Sequence, residues 1–235
     1  NVVNVKISIL IISFPNSLHP SIFSAMPAYK LYYFDIRGRG EVVRQVLALA
    51  GVEFEDIRLP RPSDGPQWAE FKSKTSFGQM PVLEIDGKQI PQAFAIVRFI
   101  ASQHGLAGAT PFEAAWVDAI ADQWKDFHTE FSKYLFVKLG FREGNEDLLK
   151  AEHGFPSRDN FFPLIEQQLQ ETGSGFLVGD SVTWVDLLIA EAVQVIASAE
   201  PGFLDAFPEV LKHEQKIHSI SRIKKWIESR PDQKR

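Results

Sequence analysis

Three stretches of the chain hold residue types able to grip an anion or a peptide-like ligand. Arg37, Arg39 and Arg44 gather around two glycines in RGRGE. At a helix N-terminus such a cluster could cradle an anion, because the first backbone N–H groups have no helical partner. The other reading is a solvated turn with exposed charges. In FGQMPVLE, Pro81 separates an extended segment from a strand that reads as core. A proline there suits either a cis Met80–Pro81 bond, where backbone must face a ligand, or a plain strand-edge proline. Gln92 stands at a helix start, where its amide and the terminal N–H groups could hold a carboxylate. A polar residue at that place also occurs without any ligand. The 235 residues include no cysteine. That excludes a disulfide framework, Cys-ligated zinc and every cysteine-nucleophile mechanism.

These residues sit on a regular succession of elements. Tyr29–Phe34 is short, aromatic-rich and extended. From Glu41 to Ala50, Val42, Val46 and Leu49 recur at helical spacing, and Gly51 stops the helix. Phe54–Leu59 reads as a strand, residues 60–66 as a Pro/Gly loop, and Trp68–Ser73 as a short helix. Two runs flanking Asp86-Gly87 predict a type I′ hairpin, since both turn positions need positive φ. Gln92–Ser102 returns to helical spacing. The order is βαβ-ββα with a mixed sheet.

His104–Thr110 is a linker of small residues. Beyond it the chain reads as helical. Thr110-Pro-Phe-Glu113 is a capping-box pattern ahead of a long helix striped by Val117, Ile120, Ala121, Trp124, Phe127, Phe131 and Leu135. Phe161, Leu164, Ile165 and Leu169 predict a second stripe. Thr183 and Asp186 form another capping box before the helix Leu187–Ala199, and the segments Val210–Ile217 and Ile223–Ile227 close the chain. The expected organisation is therefore a small α/β domain over residues 26–104 and an all-helical domain over residues 110–235.

Hydrophobic residues make up 45 % and charged residues 23 %, with a net charge of −5 and a pI near 5.7. A mildly acidic chain without a Lys/Arg run points away from nucleic acid and anionic membranes. The absence of cysteine fits a reducing, cytoplasmic compartment. The apolar run ISILIISF at residues 7–14 is too short to span a bilayer. Lys6 is the single positive charge ahead of it, and Phe23 sits badly for a signal-peptide cut after Ala25. Residues 1–25 are read as an extension ahead of Met26, outside the fold, with a secretory signal as the alternative.

Taken together, YKLYYFDIRGRGE, WAEFKSK, FGQMPVLEIDGKQIPQAFAIVRFIA, LAGATPFE, VDAIADQWKDF and FLVGDSVTWVDLLIA, in this order and spacing, resemble a cytosolic glutathione S-transferase. The likeness runs from Tyr29 to about Arg230. It is greatest to the sigma class of nematodes and the haematopoietic prostaglandin D synthase group.

The resemblance implies a thioredoxin-like N-terminal domain, an all-helical C-terminal domain and a homodimer. It implies that glutathione is conjugated to small hydrophobic electrophiles in detoxification. Tyr33 matches the tyrosine whose phenol donates to the glutathione sulfur, while strand alternation turns Tyr32 to the other face. Arg39 matches the arginine that supports them electrostatically. Trp68 and Lys72 match contacts to the glycyl end. Gln79, Met80 and Pro81 match the segment that pairs with the cysteinyl part. Gln92 and residue 93 match the γ-glutamyl carboxylate site, and Asp126 matches the acid that reaches the neighbouring subunit's ligand. Phe34, Trp124, His128 and Phe131 would line the electrophile pocket, His128 as a packing residue and not a base. Thr183 and Asp186 match a folding element with no catalytic part.

The match departs in two places. Residue 93 is alanine where the family usually has serine, a missing hydroxyl that would cost roughly 1–3 kcal/mol of glutathione affinity if unreplaced. Lys125 and Lys133 stand where prostaglandin synthases of this group carry aspartate and tryptophan, so no metal is expected. Prostaglandin H2 isomerisation to the D form is the alternative activity. A non-catalytic ligand carrier or crystallin-like protein is the alternative outside enzymes.

Overall fold

The computed structural model describes residues 28–231. The extension expected over residues 1–25 lies outside the described residues. Strands β1 (Tyr29–Phe34), β2 (Phe54–Leu59), β3 (Val82–Ile85) and β4 (Lys88–Pro91) form one sheet in the order β2-β1-β3-β4. β1 runs parallel to β2 and antiparallel to β3, with Tyr33 opposite Arg58 and Leu31 opposite Leu83. The mixed sheet follows from its connections. Helix α1 (Gly38–Ala50) gives the crossover that a parallel pair needs, while Asp86 and Gly87, at φ 49 and 81, turn the β3–β4 hairpin.

Helix α1 starts three residues earlier than its apolar spacing predicts. Its buried arc is also wider: Val42, Val43, Val46 and Leu47 are all buried, and Leu49 is only half-buried. The reason is that α1 packs on helices to both sides, α3 (Ala93–Gln103) and α7 (Trp184–Ala199). Helix α2 is Gln67–Lys72, and a 3₁₀ turn over Pro62–Asp64 precedes it.

The second part is helical: α4 (Pro111–Lys138), α5 (Glu146–Leu149), α6 (Phe155–Thr172), α7, α8 (Pro208–Ser219) and α9 (Ser221–Ser229). A π-helical turn at Lys150–Gly154 joins α5 to α6. Thr110 Oγ accepts from Glu113 N at 3.1 Å, but the Glu113 carboxylate reaches back to Ala109 N and not to the cap residue. On α6 the stripe needs correction. Leu164 is 50 % exposed and Phe162 is fully buried in its place. Phe127 of α4 explains this, stacking on Phe161 at 4.6 Å and meeting Phe162 edge-on at 5.4 Å, so α6 is rolled toward its Phe162 side. The Thr183–Asp186 box is complete, and the buried Asp186 carboxylate also accepts from Leu177 N and contacts His213 Nε2. Trp184 N donates to Leu106 O at 2.8 Å, which ties the linker to the start of α7. Among the described residues no helix is long and apolar enough to cross a membrane.

Candidate active site

The sharpest local feature of the α/β part is the packing around Tyr33. Alternation along β1 turns Tyr33 into the structure at 7 % exposure, while Tyr32 faces the other way and stacks on Phe71 at 5.0 Å. The Tyr33 hydroxyl lies at the N-terminus of α1, where it accepts a hydrogen bond from Arg39 N at 3.0 Å. A phenol oxygen that accepts keeps its own proton free to donate outward. Burial pushes the Tyr33 pKa above its ordinary value, against the lowering pull of the Arg39 N–H and the Arg39 and Arg44 charges. Tyr33 is therefore a neutral donor at physiological pH and not a phenolate.

Both glycines of RGRGE serve this tyrosine. A Cβ on Gly40 would lie 2.3 Å from a Tyr33 ring carbon, and one on Gly38 would lie 2.8 Å from the hydroxyl, at a backbone φ of +38. The ring can lie flat on the helix start only because neither position has a side chain. Sequence reasoning left these glycines between an anion cradle and a solvated turn. The close approach was readable only as an unexplained pair of glycines beside a strand-borne tyrosine.

The three-arginine cradle itself is not formed. Arg44 is fully buried, where Nε reaches Asp56 at 3.1 Å, Nη1 donates to Ile36 O at 2.9 Å and Nη1 approaches Glu41 at 3.4 Å. Arg37 is taken up by Glu191 of α7 at 2.6 Å. Arg39 alone is exposed, with no ion pair among the described residues. The reason is α1's place between the two parts of the chain, where buried carboxylates demand the other two guanidiniums. Burial raises the Glu191 pKa despite Arg37. Burial also works to raise Glu41, but the Trp226 hydrogen bond with the Arg230 and Arg44 charges outweighs it and holds Glu41 low.

Tyr33 opens onto a cleft of about 1250 Å³ between the α/β part and the helices. The four aromatic residues expected there, Phe34, Trp124, His128 and Phe131, all line it. Phe94, Phe136 and Phe141 also do, and were missed. Phe141 lies beyond the end of α4, where no helical periodicity marks a residue as inward-facing. His128 packs against Trp124 with the rings tilted, centroids 4.7 Å apart, and burial, helped by the Arg39 charge, lowers its pKa to about 4. It is a neutral wall residue at physiological pH.

The descriptions "Glutathione S-transferase, N-terminal domain" and "Glutathione S-transferase, C-terminal domain" match residues 29–102 and 125–230. The chain is 46 % identical over 206 residues to "Probable glutathione S-transferase 9" of Caenorhabditis elegans, covering 88 % of this chain and 98 % of that one. The chain belongs to the glutathione S-transferase family. Among solved structures, Na-GST-3 of Necator americanus, described as monomeric, is 47 % identical with a TM-score of 0.83, over 88 % of this chain and 100 % of its own. A nu-class member from Haemonchus contortus is 45 % identical with a TM-score of 0.82, over 89 % and 100 %. The prostaglandin synthase D of Nilaparvata lugens is 31 % identical with a TM-score of 0.77, over 87 % and 100 %. These neighbours establish the family and the thioredoxin-like plus all-helical fold, and leave the sigma class open.

In this transferase fold the remaining expected positions of the α/β part lie beside the cleft, and Asp126 does not. Trp68 of α2 meets Phe34 edge-on at 5.5 Å, and Lys72 ends the same helix, exposed. The Met80–Pro81 peptide is cis, and Met80 lines the cleft. Gln92 Nε2 donates to Gln79 Oε1 at 3.1 Å, so two of the expected positions lie side by side. Gln92 caps α3 with φ 73, an unusual value for a non-glycine residue that the sequence did not flag. α3 therefore begins at Ala93, which is 6 % exposed and lines the cleft. Asp126 is exposed on α4, without an ion pair among the described residues and away from the cleft lining.

Proposed function

We propose that this protein transfers the sulfur of glutathione to apolar electrophiles. The observation that carries the reading is the buried, protonated Tyr33 phenol. It is held by the Arg39 N–H at the mouth of an aromatic cleft, with its own proton free. A free thiol has a pKa of about 8.5, so a hydrogen bond to the ionised sulfur shifts it toward thiolate at neutral pH. The thiolate then forms the bond to carbon, and the leaving group departs or the added electrons take up a proton from water.

Glutathione lies along the edge just described. Trp68 and Lys72 take the glycyl end, the Gln79–Met80–Pro81 segment takes the cysteinyl backbone, and Gln92 with the N-terminus of α3 at Ala93 takes the γ-glutamyl carboxylate. Asp126 serves the site of a second copy of the chain, so the active form is a homodimer. Phe77, 65 % exposed and two residues before Gln79, supports an apolar contact beside that site. The sigma class, a detoxifying role and a cytoplasmic location belong to the same reading. Prostaglandin H2 isomerisation is the second reading, supported by the likeness to the Nilaparvata protein, and would use the same Tyr33 and thiolate.

The test is conjugation of 1-chloro-2,4-dinitrobenzene by wild type, Tyr33→Phe and Tyr32→Phe. Loss of one anion-stabilising donor predicts a roughly 10- to 1,000-fold fall for Tyr33→Phe and a small change for Tyr32→Phe. Equal rates in the two variants reject the assignment. A wild type that binds an apolar dye but not glutathione is a carrier instead.

A further inference from the structure

The charge of the cleft lining runs against that of the chain. The chain carries a net charge of −5, yet the lining has five basic side chains (Arg37, Arg39, Arg61, Lys133, Arg142) and two carboxylates (Asp64, Glu191). Three of the bases are already answered. Arg37 pairs with Glu191 at 2.6 Å, Arg61 with Asp64 at 2.8 Å and Lys133 with Glu130 at 2.7 Å. Arg39 and Arg142 have no ion pair among the described residues, and both are exposed. Arg39 belongs to the Tyr33 end. Arg142 has no place in the proposed chemistry.

Its position is set by the end of α4. Gly140 takes φ 74 there, and Phe141 N and Arg142 N both donate to Phe136 O, at 2.7 and 3.1 Å. This closed turn holds the Arg142 guanidinium over the Phe136 ring, with Cζ 5.4 Å from the centroid. From there an aromatic wall leads back toward Tyr33. Phe136 meets His128 edge-on at 6.2 Å, and His128 packs against Trp124 with the rings tilted at 4.7 Å. His128 and Phe136 are eight residues apart on α4, roughly 12 Å of helical rise. The cleft thus offers a polar thiolate end, an apolar middle and, at the rim, an exposed cation without an ion pair among the described residues.

We propose that Arg142 selects apolar electrophiles that carry a carboxylate at the end remote from the reacting carbon. The proposal rests on the transferase reading of the same cleft. Arg142 holds the carboxylate through charge and guanidinium hydrogen bonds, a geometry for which the planar fork of arginine is suited. The aliphatic body lies on Phe136 and His128, and the electrophilic carbon reaches the sulfur at Tyr33. For an α,β-unsaturated ketone the sulfur adds to the β-carbon, the π electrons shift to the carbonyl oxygen, and the α-carbon takes a proton from water. The remote carboxylate is unchanged.

The experiment compares a long-chain enone bearing a terminal carboxylate with its methyl ester, in wild type, Arg142→Gln and Arg142→Lys. Displacement of a neutral fluorescent dye by dodecanoate and by dodecanol, without glutathione, gives the binding arm. Wild type is expected to favour the acid over the ester three- to tenfold in kcat/KM, and dodecanoate over dodecanol similarly in affinity. Both preferences should vanish in Arg142→Gln and be largely retained in Arg142→Lys. Conjugation of the neutral 1-chloro-2,4-dinitrobenzene should not change. Because the rim is solvated, the preference should also shrink as salt rises from 20 to 200 mM. A wild type indifferent to the carboxylate, or a preference that survives in Arg142→Gln, overturns the proposal. Absence of all conjugation in wild type overturns the transferase reading separately, since the dye arm still reports on Arg142.

Discussion

Replacing Gly40 by alanine tests whether the helix start exists to seat Tyr33. Two effects oppose each other. Gly40 lies within α1, where alanine is favoured over glycine by about 0.8–1 kcal/mol in an ordinary helix. Against that, the new methyl would stand 2.3 Å from Cδ1, 2.6 Å from Cγ and 3.0 Å from Cβ of Tyr33. Those atoms are the root of the ring, not a flexible tip, and the strand holds them in place. Relieving such an overlap costs typically about 1–3 kcal/mol. The clash outweighs the propensity gain, leaving a net loss of up to about 2 kcal/mol, or a few degrees in Tm for a chain of this size. The larger effect is on activity. Tyr33 can yield only by swinging its hydroxyl off Arg39 N, so conjugation should fall about as far as in Tyr33→Phe, roughly 10- to 1,000-fold. Steady-state kinetics with 1-chloro-2,4-dinitrobenzene and thermal melts of both single variants and the double variant supply the measurement. In the Tyr33→Phe background, Gly40→Ala should cost little further activity, because the donor it displaces is already gone. A Gly40→Ala protein that melts higher and turns over normally would refute the packing argument.

Three further outcomes are expected. Ala93→Ser should tighten glutathione binding by up to about tenfold in calorimetric titration, for one added hydrogen bond worth about 1.4 kcal/mol to the carboxylate; an unchanged dissociation constant would show that the role is already filled. His128, with its pKa lowered to about 4 by burial, is stabilising as the neutral ring above its unfolded pKa of 6.5, and that contribution is lost as pH falls toward 4. Between pH 7.5 and 4.5, wild type should therefore lose on the order of 2 kcal/mol more stability than His128→Gln in urea titrations, while the two pH–rate profiles coincide above pH 6. Asp126→Ala should raise the KM for glutathione with little change in melting temperature, and sedimentation showing a fully active micromolar monomer would remove the inter-subunit role.

Much of the fold was legible because it rests on local rules. The bounds of β1 and β2 agree with the strands read from residue pattern, and Asp86-Gly87 makes the hairpin that its need for positive φ demands. Alternation in β1 put Tyr33 and Tyr32 on opposite faces, since a strand sends neighbours to opposite sides, and the family resemblance picked Tyr33. The stripe of α4 was read from a 3.6-residue period and is buried as expected, with Trp124 half-buried at the cleft.

The rest depended on which element lies against which. Nothing in RGRGE says that Glu191, more than 150 residues later, takes Arg37 and leaves Arg39 as the arginine of the three without an ion pair among the described residues. Nor does the local sequence say that Gly38 and Gly40 are needed by a ring on the preceding strand. Leu164 and Phe162 exchanged places because Phe127 on another helix sets the roll of α6. Periodicity gives an element its apolar side to within a residue or so. The partner packed against that side decides which residue at its margin is buried, and which charge is left to meet a ligand.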